Sequence, residues 1–177
     1  MIFFSYKGFL RTCGLWLLLL LISPVRICAQ DYDVKFYGLD VQADNRSDRI
    51  RGSTTILVEV GTDQFTTLVF DLYGSLDVEQ VLVNGAETSF THSNHELFID
   101  LSTARDSGEM LSAQIFYGGQ TGPGMVMEVD EEWGVPVTYT SSEPFYSRDW
   151  FPCKQDLGDK ADSVHVFITT DYGLMGV

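Results

Sequence analysis

The sequence is organised around the stretch Arg49-Ile50-Arg51-Gly52-Ser53-Thr54-Thr55-Ile56-Leu57-Val58-Glu59-Val60. From Thr54 onward, Ile56, Val58 and Val60 occupy every second position, and polar residues fill the positions between them, with Leu57 as the exception. Successive side chains of a β-strand point to opposite faces of the sheet. The stretch therefore predicts a strand with one buried face and one face in water.

The same alternation recurs on both sides of this stretch. Upstream, Leu39 and Val41 lie on the opposite face from Val34, which predicts a long strand whose faces swap at a bulge at Gly38. Downstream, alternating apolar residues predict strands around residues 68–72, 78–83, 90, 97–101, 111–117 and 164–168. Seven or eight strands without a helical stretch predict an all-β fold, an antiparallel β-sandwich or saddle-shaped sheet.

Turn residues mark the ends of these strands. Asn84-Gly85 is the strongest short hairpin signal in the chain, because both residues tolerate the positive φ of a two-residue turn. Residues 118–160 show no sustained strand period. The glycine-rich start of that region lacks the Lys-Ser/Thr pair of a phosphate-binding loop, so it is expected to be a flexible loop.

The first 29 residues have the composition of a secretory signal peptide. Lys7 and Arg11 precede an apolar run at 15–22, and small residues end at Ala29, ahead of Gln30. The alternative is a membrane anchor, but the run is well short of the roughly 20 apolar residues that a spanning helix needs. We therefore predict a signal at 1–29, a β-domain at 30–177, and export to the periplasm or the extracellular space.

The predicted mature domain is strongly acidic. Three of the 11 basic residues precede Asp31, so eight basic residues oppose 25 acidic ones, a net charge of −17. Nucleic acids and anionic membranes both attract a positive surface. The composition therefore argues against these partners, although it does not identify another.

Few residues of the domain offer catalytic or metal-binding chemistry. Cys153 is the one cysteine beyond the predicted signal, and beside Pro152 it is expected to be a buried residue rather than a nucleophile. His92, His95 and Glu96 form the closest His/Glu set, but the two histidines are three residues apart at a predicted turn. Zinc peptidases place two histidines four residues apart on a helix. We expect a polar hairpin tip here and no metal site.

The remaining candidate is an aromatic loop of mixed charge at 139–156. Within it, Glu143 lies two residues before Phe145. A partly desolvated carboxylate at this position would bind a cation such as an ammonium group. The alternative is a salt bridge from Glu143 to Arg148 or Lys160 that ties the loop down, the more usual role of a paired carboxylate. The residues alone leave both open.

Two sets of motifs resemble the aminopeptidase N family of zinc peptidases. The first is Asp31-Tyr32-Asp33-Val34, then Tyr37-x-Leu39-Asp40-Val41 and Ile50-x-Gly52-x-Thr54. The second is Ser142-Glu143-Pro144, then Arg148-Asp149-Trp150-Phe151-Pro152-Cys153, Asp156 and Asp159-Lys160-Ala161. Each motif is loose alone, but their order and spacing are specific, and they cover nearly all of the predicted mature chain.

The resemblance implies that the chain is the N-terminal β-domain of an exported zinc aminopeptidase, which releases N-terminal amino acids from peptides. In that family an acidic or amide residue, five positions before a conserved Arg, binds the free α-amino group of the substrate. The matching residue is Glu143, five positions before Arg148. Ser141 matches a position that lines the first side-chain pocket and is often Gln in the family.

The resemblance also implies which parts lie elsewhere. The family holds zinc through His-Glu-x-x-His in a following catalytic domain, and this chain has no such motif. We therefore expect no zinc and no catalysis in this chain alone, with the missing catalytic domain and the N-terminus of a peptide substrate as its partners. The alternative is a stand-alone β-sandwich for binding or scaffolding, because a fold does not guarantee a chemistry.

Overall fold

The computed structural model describes residues 31–132 and 134–176, and the predicted signal at 1–29 lies outside them. The described part contains one short 3₁₀ helix, Ser147–Asp149, and no helix long and apolar enough to cross a membrane. The strands are β1 (Tyr32–Gln42), β2 (Arg49–Val60), β3 (Phe65–Asp71), β4 (Leu76–Val83), β5 (Ala86–Glu87), β6 (Phe90–Ser93), β7 (Glu96–Arg105), β8 (Met110–Gln120), β9 (Met125–Val129), β10 (Pro136–Thr140) and β11 (Ser163–Thr169).

The strands form open sheets. The largest has the order β11-β1-β2-β8-β4-β5, a second has the order β3-β7-β6, and β9 pairs with β10. The predicted all-β fold is confirmed. One pairing departs from the antiparallel expectation, because β11 runs parallel to β1. A parallel pair requires a long crossover, and here the chain between β1 and β11 includes the other sheets and the aromatic loop.

The predicted buried face of β2 is also confirmed. Ile56, Val58 and Val60 are buried, and the hydroxyl of buried Thr54 donates a hydrogen bond to the Tyr117 hydroxyl at 3.4 Å. One hydrophobic cluster joins these residues to Phe70 and other residues of the three-stranded sheet. The two larger sheets therefore pack face to face around one core.

The bulge in β1 lies three residues before the predicted position. The register of β1 against β2 shifts between Val34 and Phe36, so Lys35 is the extra residue, and the prediction of Gly38 was wrong. The Lys35 ammonium pairs with Asp33 and, at 3.0 Å, with Glu59. A β-carbon on Gly38 would lie 3.1 Å from the Phe36 ring, so this glycine makes room for the ring instead.

The region after β8 is more regular than predicted, because β9 and β10 form a hairpin within it. Their side chains are only half-buried or exposed, so no clean alternation marks them in the sequence. Asn45 Nδ2 donates to the Pro136 carbonyl at 2.9 Å, and the Thr138 hydroxyl donates to the Asp44 carbonyl at 3.0 Å. Polar contacts with the β1–β2 loop therefore hold the hairpin in place.

Candidate functional site

The loop that carries Glu143 is attached to the fold on both sides of that residue. Before it, Ser141 N donates a hydrogen bond to the Gly124 carbonyl at 2.7 Å. After it, Tyr146 N donates to the Ser142 carbonyl at 3.1 Å, and Trp150 Nε1 donates to the Ser142 hydroxyl at 3.1 Å. These bonds restrict the backbone from which the Glu143 side chain projects.

A buried carboxylate, Asp149, ties this loop to the glycine-rich segment before β9. Its Oδ2 accepts a hydrogen bond from Gly124 N at 2.8 Å, and its carbonyl accepts one from Gly122 N at 2.8 Å. A β-carbon on Gly122 would lie 2.6 Å from Asp149 Cγ, and one on Gly124 would lie 2.5 Å from the Tyr146 carbonyl oxygen. These glycines permit close packing, so the prediction of a flexible loop was wrong.

Glu143 itself is exposed and forms no hydrogen bond or ion pair with any residue that the structure describes. The alternative of a salt bridge to Arg148 or Lys160 is therefore not seen. Arg148 instead approaches Asp71, with 3.7 Å between Nη1 and Oδ1. The expected partial desolvation of Glu143 is not seen either, because the residue is exposed.

Exposed aromatic and polar side chains flank Glu143. Phe145 and Tyr146 follow it, each about half exposed, and Tyr139 and exposed Ser141 precede it. Aromatic ring faces attract cations, and a carboxylate pairs with an ammonium group through charge-assisted hydrogen bonds. The loop thus presents the chemical groups that an amine ligand requires.

A cleft of about 170 Å³ lies beside this loop. Its lining includes Tyr37, Pro144, Phe145, Lys154 and Leu157. It is smaller than the roughly 300 Å³ at which pockets for small-molecule ligands begin. The cleft is therefore a surface depression rather than a ligand pocket in itself.

The wall of the cleft contains a buried ion pair. Lys154 Nζ bonds to the Asp159 carboxylate and donates to the Tyr32 carbonyl at 2.7 Å, while lying 4.2 Å from the centre of the Tyr32 ring. Asp159 also accepts a hydrogen bond from Val34 N at 3.2 Å. These contacts fasten the end of the loop to β1, so both charges serve the fold.

Cys153 is buried, as predicted, and its backbone N–H and carbonyl both pair with Asp71. Burial raises the pKa of its thiol above the ordinary value. A nucleophilic cysteine requires a lowered pKa. Cys153 is therefore a packing residue.

The two histidines of the predicted hairpin tip have structural partners. His92 Nε2 contacts the Leu72 carbonyl at 3.1 Å, and His95 Nδ1 accepts a hydrogen bond from Gly74 N at 2.9 Å. Within residues 31–132 and 134–176, no group of three or more His, Cys, Asp or Glu side chains could hold a metal ion. The described residues therefore do not fit a zinc site.

Comparisons with known proteins add a fold-level likeness. No protein-family model matches the chain, and no curated protein matches it. The M1 zinc metallopeptidase from Deinococcus radiodurans superposes with a TM-score of 0.65 and 23% identity, over 78% of this chain and 33% of that one. A mutant of that peptidase bound to a Tyr-Ser-Ala substrate gives a TM-score of 0.63 and 22% identity over the same shares.

Native yeast LTA4 hydrolase superposes with a TM-score of 0.67 and 17% identity, over 79% of this chain and 23% of that one. The chain thus spans a third or less of the length of these proteins. At such identities the likeness concerns the fold. It confirms the resemblance carried by the sequence motifs, because the chain has the fold of the β-domain of M1 zinc metallopeptidases.

Proposed function

We propose that this chain is the β-domain of an exported zinc aminopeptidase and that Glu143 binds the free α-amino group of the peptide substrate. The observation that carries the proposal is the state of Glu143, an exposed carboxylate without a partner among the described residues, on a loop attached at both sides. A carboxylate tied into a salt bridge would not be free to bind a ligand.

The attachment of the loop supports this role energetically. A ligand gains most from a group that is already positioned, because less conformational freedom is lost on binding. Asp149 and Trp150 restrict the backbone on the far side of Glu143, and Gly124 restricts it on the near side. A hydrogen bond to a charged group contributes about 1.5–3 kcal/mol, enough to select a free amine over a blocked one.

Zinc has no place among the described residues, so the proposal puts the metal in a part of the longer protein outside this chain. The metal would supply an activated water for peptide hydrolysis there. This chain contributes the amine contact, and that contact limits cleavage to the first peptide bond. Ser141, exposed two positions before Glu143, is the residue that we assign to the wall of the first side-chain pocket.

The test uses the protein as its gene encodes it, with any sequence beyond Val177 included. Hydrolysis of aminoacyl p-nitroanilides is measured for the parent and for Glu143→Ala, Glu143→Gln and Glu131→Ala. Loss of a charged hydrogen bond of 1.5–3 kcal/mol predicts that Glu143→Ala raises KM by roughly 10- to 150-fold. A smaller change in kcat is expected, because the amine contact exists before and during the reaction.

The variants separate the role of Glu143 from general effects on the fold. Glu143→Gln retains an acceptor oxygen and should recover part of the affinity. Glu131→Ala removes another exposed carboxylate and should leave KM unchanged. Unchanged kinetics in Glu143→Ala would remove Glu143 from the site.

The alternative function is a stand-alone β-sandwich module for binding or scaffolding. The exposed apolar residues of β11 favour it, since they offer a contact surface independent of Glu143. The encoded sequence distinguishes the two functions. A His-Glu-x-x-His motif and aminopeptidase activity in the encoded protein support the first, and the lack of both supports the second.

A further inference from the structure

Ser142, the residue directly before Glu143, is held by both its backbone and its side chain. Its carbonyl accepts a hydrogen bond from Tyr146 N at 3.1 Å, and its hydroxyl accepts one from Trp150 Nε1 at 3.1 Å. The first bond joins residues four apart and closes a turn around residues 143–145. Glu143 is therefore the first residue inside a closed turn, and an indole N–H holds the residue at which that turn begins.

Trp150 is itself packed onto the folded interior. Its ring meets the Phe151 ring with 4.5 Å between centroids, and the Phe151 ring meets that of Tyr37 in β1 edge-on with 5.9 Å between centroids. All three side chains are half-buried against the hydrophobic core. A tryptophan N–H in such a position usually finds a hydrogen-bond partner. Here that partner belongs to the turn that carries Glu143.

We propose that Ser142 and Trp150 are positioning residues for substrate binding: the hydrogen bond between their side chains holds Glu143 where it meets the α-amino group. This inference rests on the proposed function of Glu143. The Glu143 carboxylate is exposed and has no hydrogen bond or ion pair with the residues that the structure describes. Its position therefore follows from the backbone of the turn, and the hydrogen bond acts on that backbone at the preceding residue.

The hydrogen bond lowers the entropic cost of binding. A carboxylate on a loose turn loses conformational freedom when a ligand amine fixes it, and that loss weakens binding. A turn that is already held in the free protein avoids part of this loss. Removal of the hydrogen bond should therefore raise KM with little change in kcat, since the amine contact exists before and during the reaction.

This hydrogen bond can be removed with smaller changes than the other attachments of the loop. Asp149 is buried, and its bond to Gly124 N joins two segments of the fold, so its removal would disturb both. Ser142 and Trp150 are only half-buried. Ser142→Ala deletes the accepting hydroxyl, and Trp150→Phe deletes the donating N–H while keeping an aromatic ring.

Hydrogen exchange of the Trp150 indole N–H tests the bond itself. The encoded protein, with any sequence beyond Val177 included, carries isotope-labelled tryptophan, and the signal that Trp150→Phe lacks belongs to Trp150. A hydrogen-bonded N–H exchanges slowly. Ser142→Ala should therefore speed exchange at Trp150, whereas Ser142→Thr, which keeps a hydroxyl, should not. Equal exchange in the parent and in Ser142→Ala would overturn the proposal.

Hydrolysis of aminoacyl p-nitroanilides by the same protein tests the positioning role. Ser142→Ala and Trp150→Phe should each raise KM about two- to tenfold, the loss expected for one neutral hydrogen bond, with kcat nearly unchanged. The double variant should resemble the single variants, because both remove the same bond. Ser142→Thr should retain the parent KM, and so should Ser107→Ala, which removes a hydroxyl bond to the Gly61 carbonyl. Thermal unfolding checks that each variant folds, and Ser142→Ala with Ser142→Thr carries the comparison if Trp150→Phe does not.

The same substitutions in Glu143→Ala separate this inference from the proposed function. In that background Ser142→Ala and Trp150→Phe should not raise KM further, because they act through Glu143. If Glu143→Ala raises KM while Ser142→Ala does not, the positioning role fails and the proposed function stands. Equal increases of KM in both backgrounds also overturn the positioning role. If Glu143→Ala leaves KM unchanged, the proposed function fails and the positioning role fails with it.

Discussion

The carboxylate of Asp149 accepts a hydrogen bond from the backbone N–H of Gly124 at 2.8 Å, across 25 residues of sequence. This bond joins the glycine-rich segment before β9 to the 3₁₀ helix that follows Glu143. Asp149 is 3% exposed, so its charge is held away from water. A buried carboxylate without its hydrogen-bond donor destabilises the folded state. Substitutions at this contact therefore test how the Glu143 loop is held.

Gly124→Ala should destabilise the protein. The added β-carbon would lie 2.5 Å from the Tyr146 carbonyl oxygen and 3.1 Å from Asp149 Cβ, so the loop backbone has to move. Overpacking of this kind costs about 1–3 kcal/mol, measurable by urea unfolding. Gly158→Ala is the control, because its nearest neighbour is the end of the Asp156 side chain at 3.2 Å. Equal effects of the two substitutions would contradict the close packing.

Elements with a local pattern were predictable, whereas those that depend on distant partners were not. The buried face of β2 follows from alternation within one segment, so its buried residues could be named in advance. The bulge at Lys35 depends on the register of β1 against β2, which no local pattern contains. The direction of β11 depends in the same way on its partner, since a strand pattern does not say whether the pairing is parallel.

The candidate site shows the same difference between features with a local sequence pattern and contacts between distant segments. Glu143 could be proposed from the sequence because it lies in an aromatic loop and five positions before Arg148, and its role in binding stays a prediction. The contact of Asp149 with Gly122 and Gly124 was missed, because it joins two segments with unrelated patterns. A signal was present in the spacing of glycines around Pro123, but glycine spacing is equally typical of a flexible loop.

Asp159→Ala should be among the most destabilising single substitutions. The Asp159 side chain is fully buried against Lys154, and its removal leaves an ammonium group 15% exposed without its carboxylate. Breaking a buried pair costs about 3–5 kcal/mol. The control is Glu79→Ala, which breaks the solvent-exposed pair with Arg51 and should have little effect on stability. Urea unfolding of both variants measures the difference, and similar losses would contradict a structural role for Asp159.

The Cys153 thiol should resist modification in the native protein. It is 4% exposed, and burial raises its pKa, so little thiolate is available to react. Iodoacetamide at pH 8 should modify it at least about a hundredfold more slowly than in concentrated urea, because reaction requires local opening. Asp71→Ala should speed the reaction, since the Asp71 carboxylate accepts a hydrogen bond from Gln155 N at 3.1 Å, lies 3.7 Å from Arg148, and helps to raise the pKa of the thiol. Fast labelling of the parent would contradict the burial of the thiol.

The same labelling tests the predicted signal. The full sequence contains three cysteines, of which Cys13 and Cys28 precede Gln30. Protein recovered from an exporting host should therefore show one reactive thiol per chain in urea, and the intact mass should match a chain that begins at Gln30. Three thiols per chain would show that the leader is retained.

Stability should fall at alkaline pH because of three tyrosines. Burial raises the pKa of Tyr32, Tyr37 and Tyr117 above the ordinary value of about 10. Below about pH 10 both folded and unfolded chains keep these phenols neutral, so their contribution to stability is fully present. Above it the unfolded chain releases protons that the folded chain retains, and the free energy of unfolding decreases as the pH rises toward the folded pKa values.

Tyr117→Phe isolates one of these groups. The ring stays in the core, and the hydroxyl that accepts the Thr54 hydrogen bond is removed. The variant should be less stable than the parent at pH 8 by about 1 kcal/mol, the usual net contribution of one hydrogen bond. Above pH 10 its stability should fall less steeply, by about 1.4 kcal/mol per pH unit, because one fewer proton is released on unfolding. Urea unfolding from pH 8 to pH 11 measures both effects, and parallel pH profiles would show that Tyr117 ionises alike in the folded and unfolded chains.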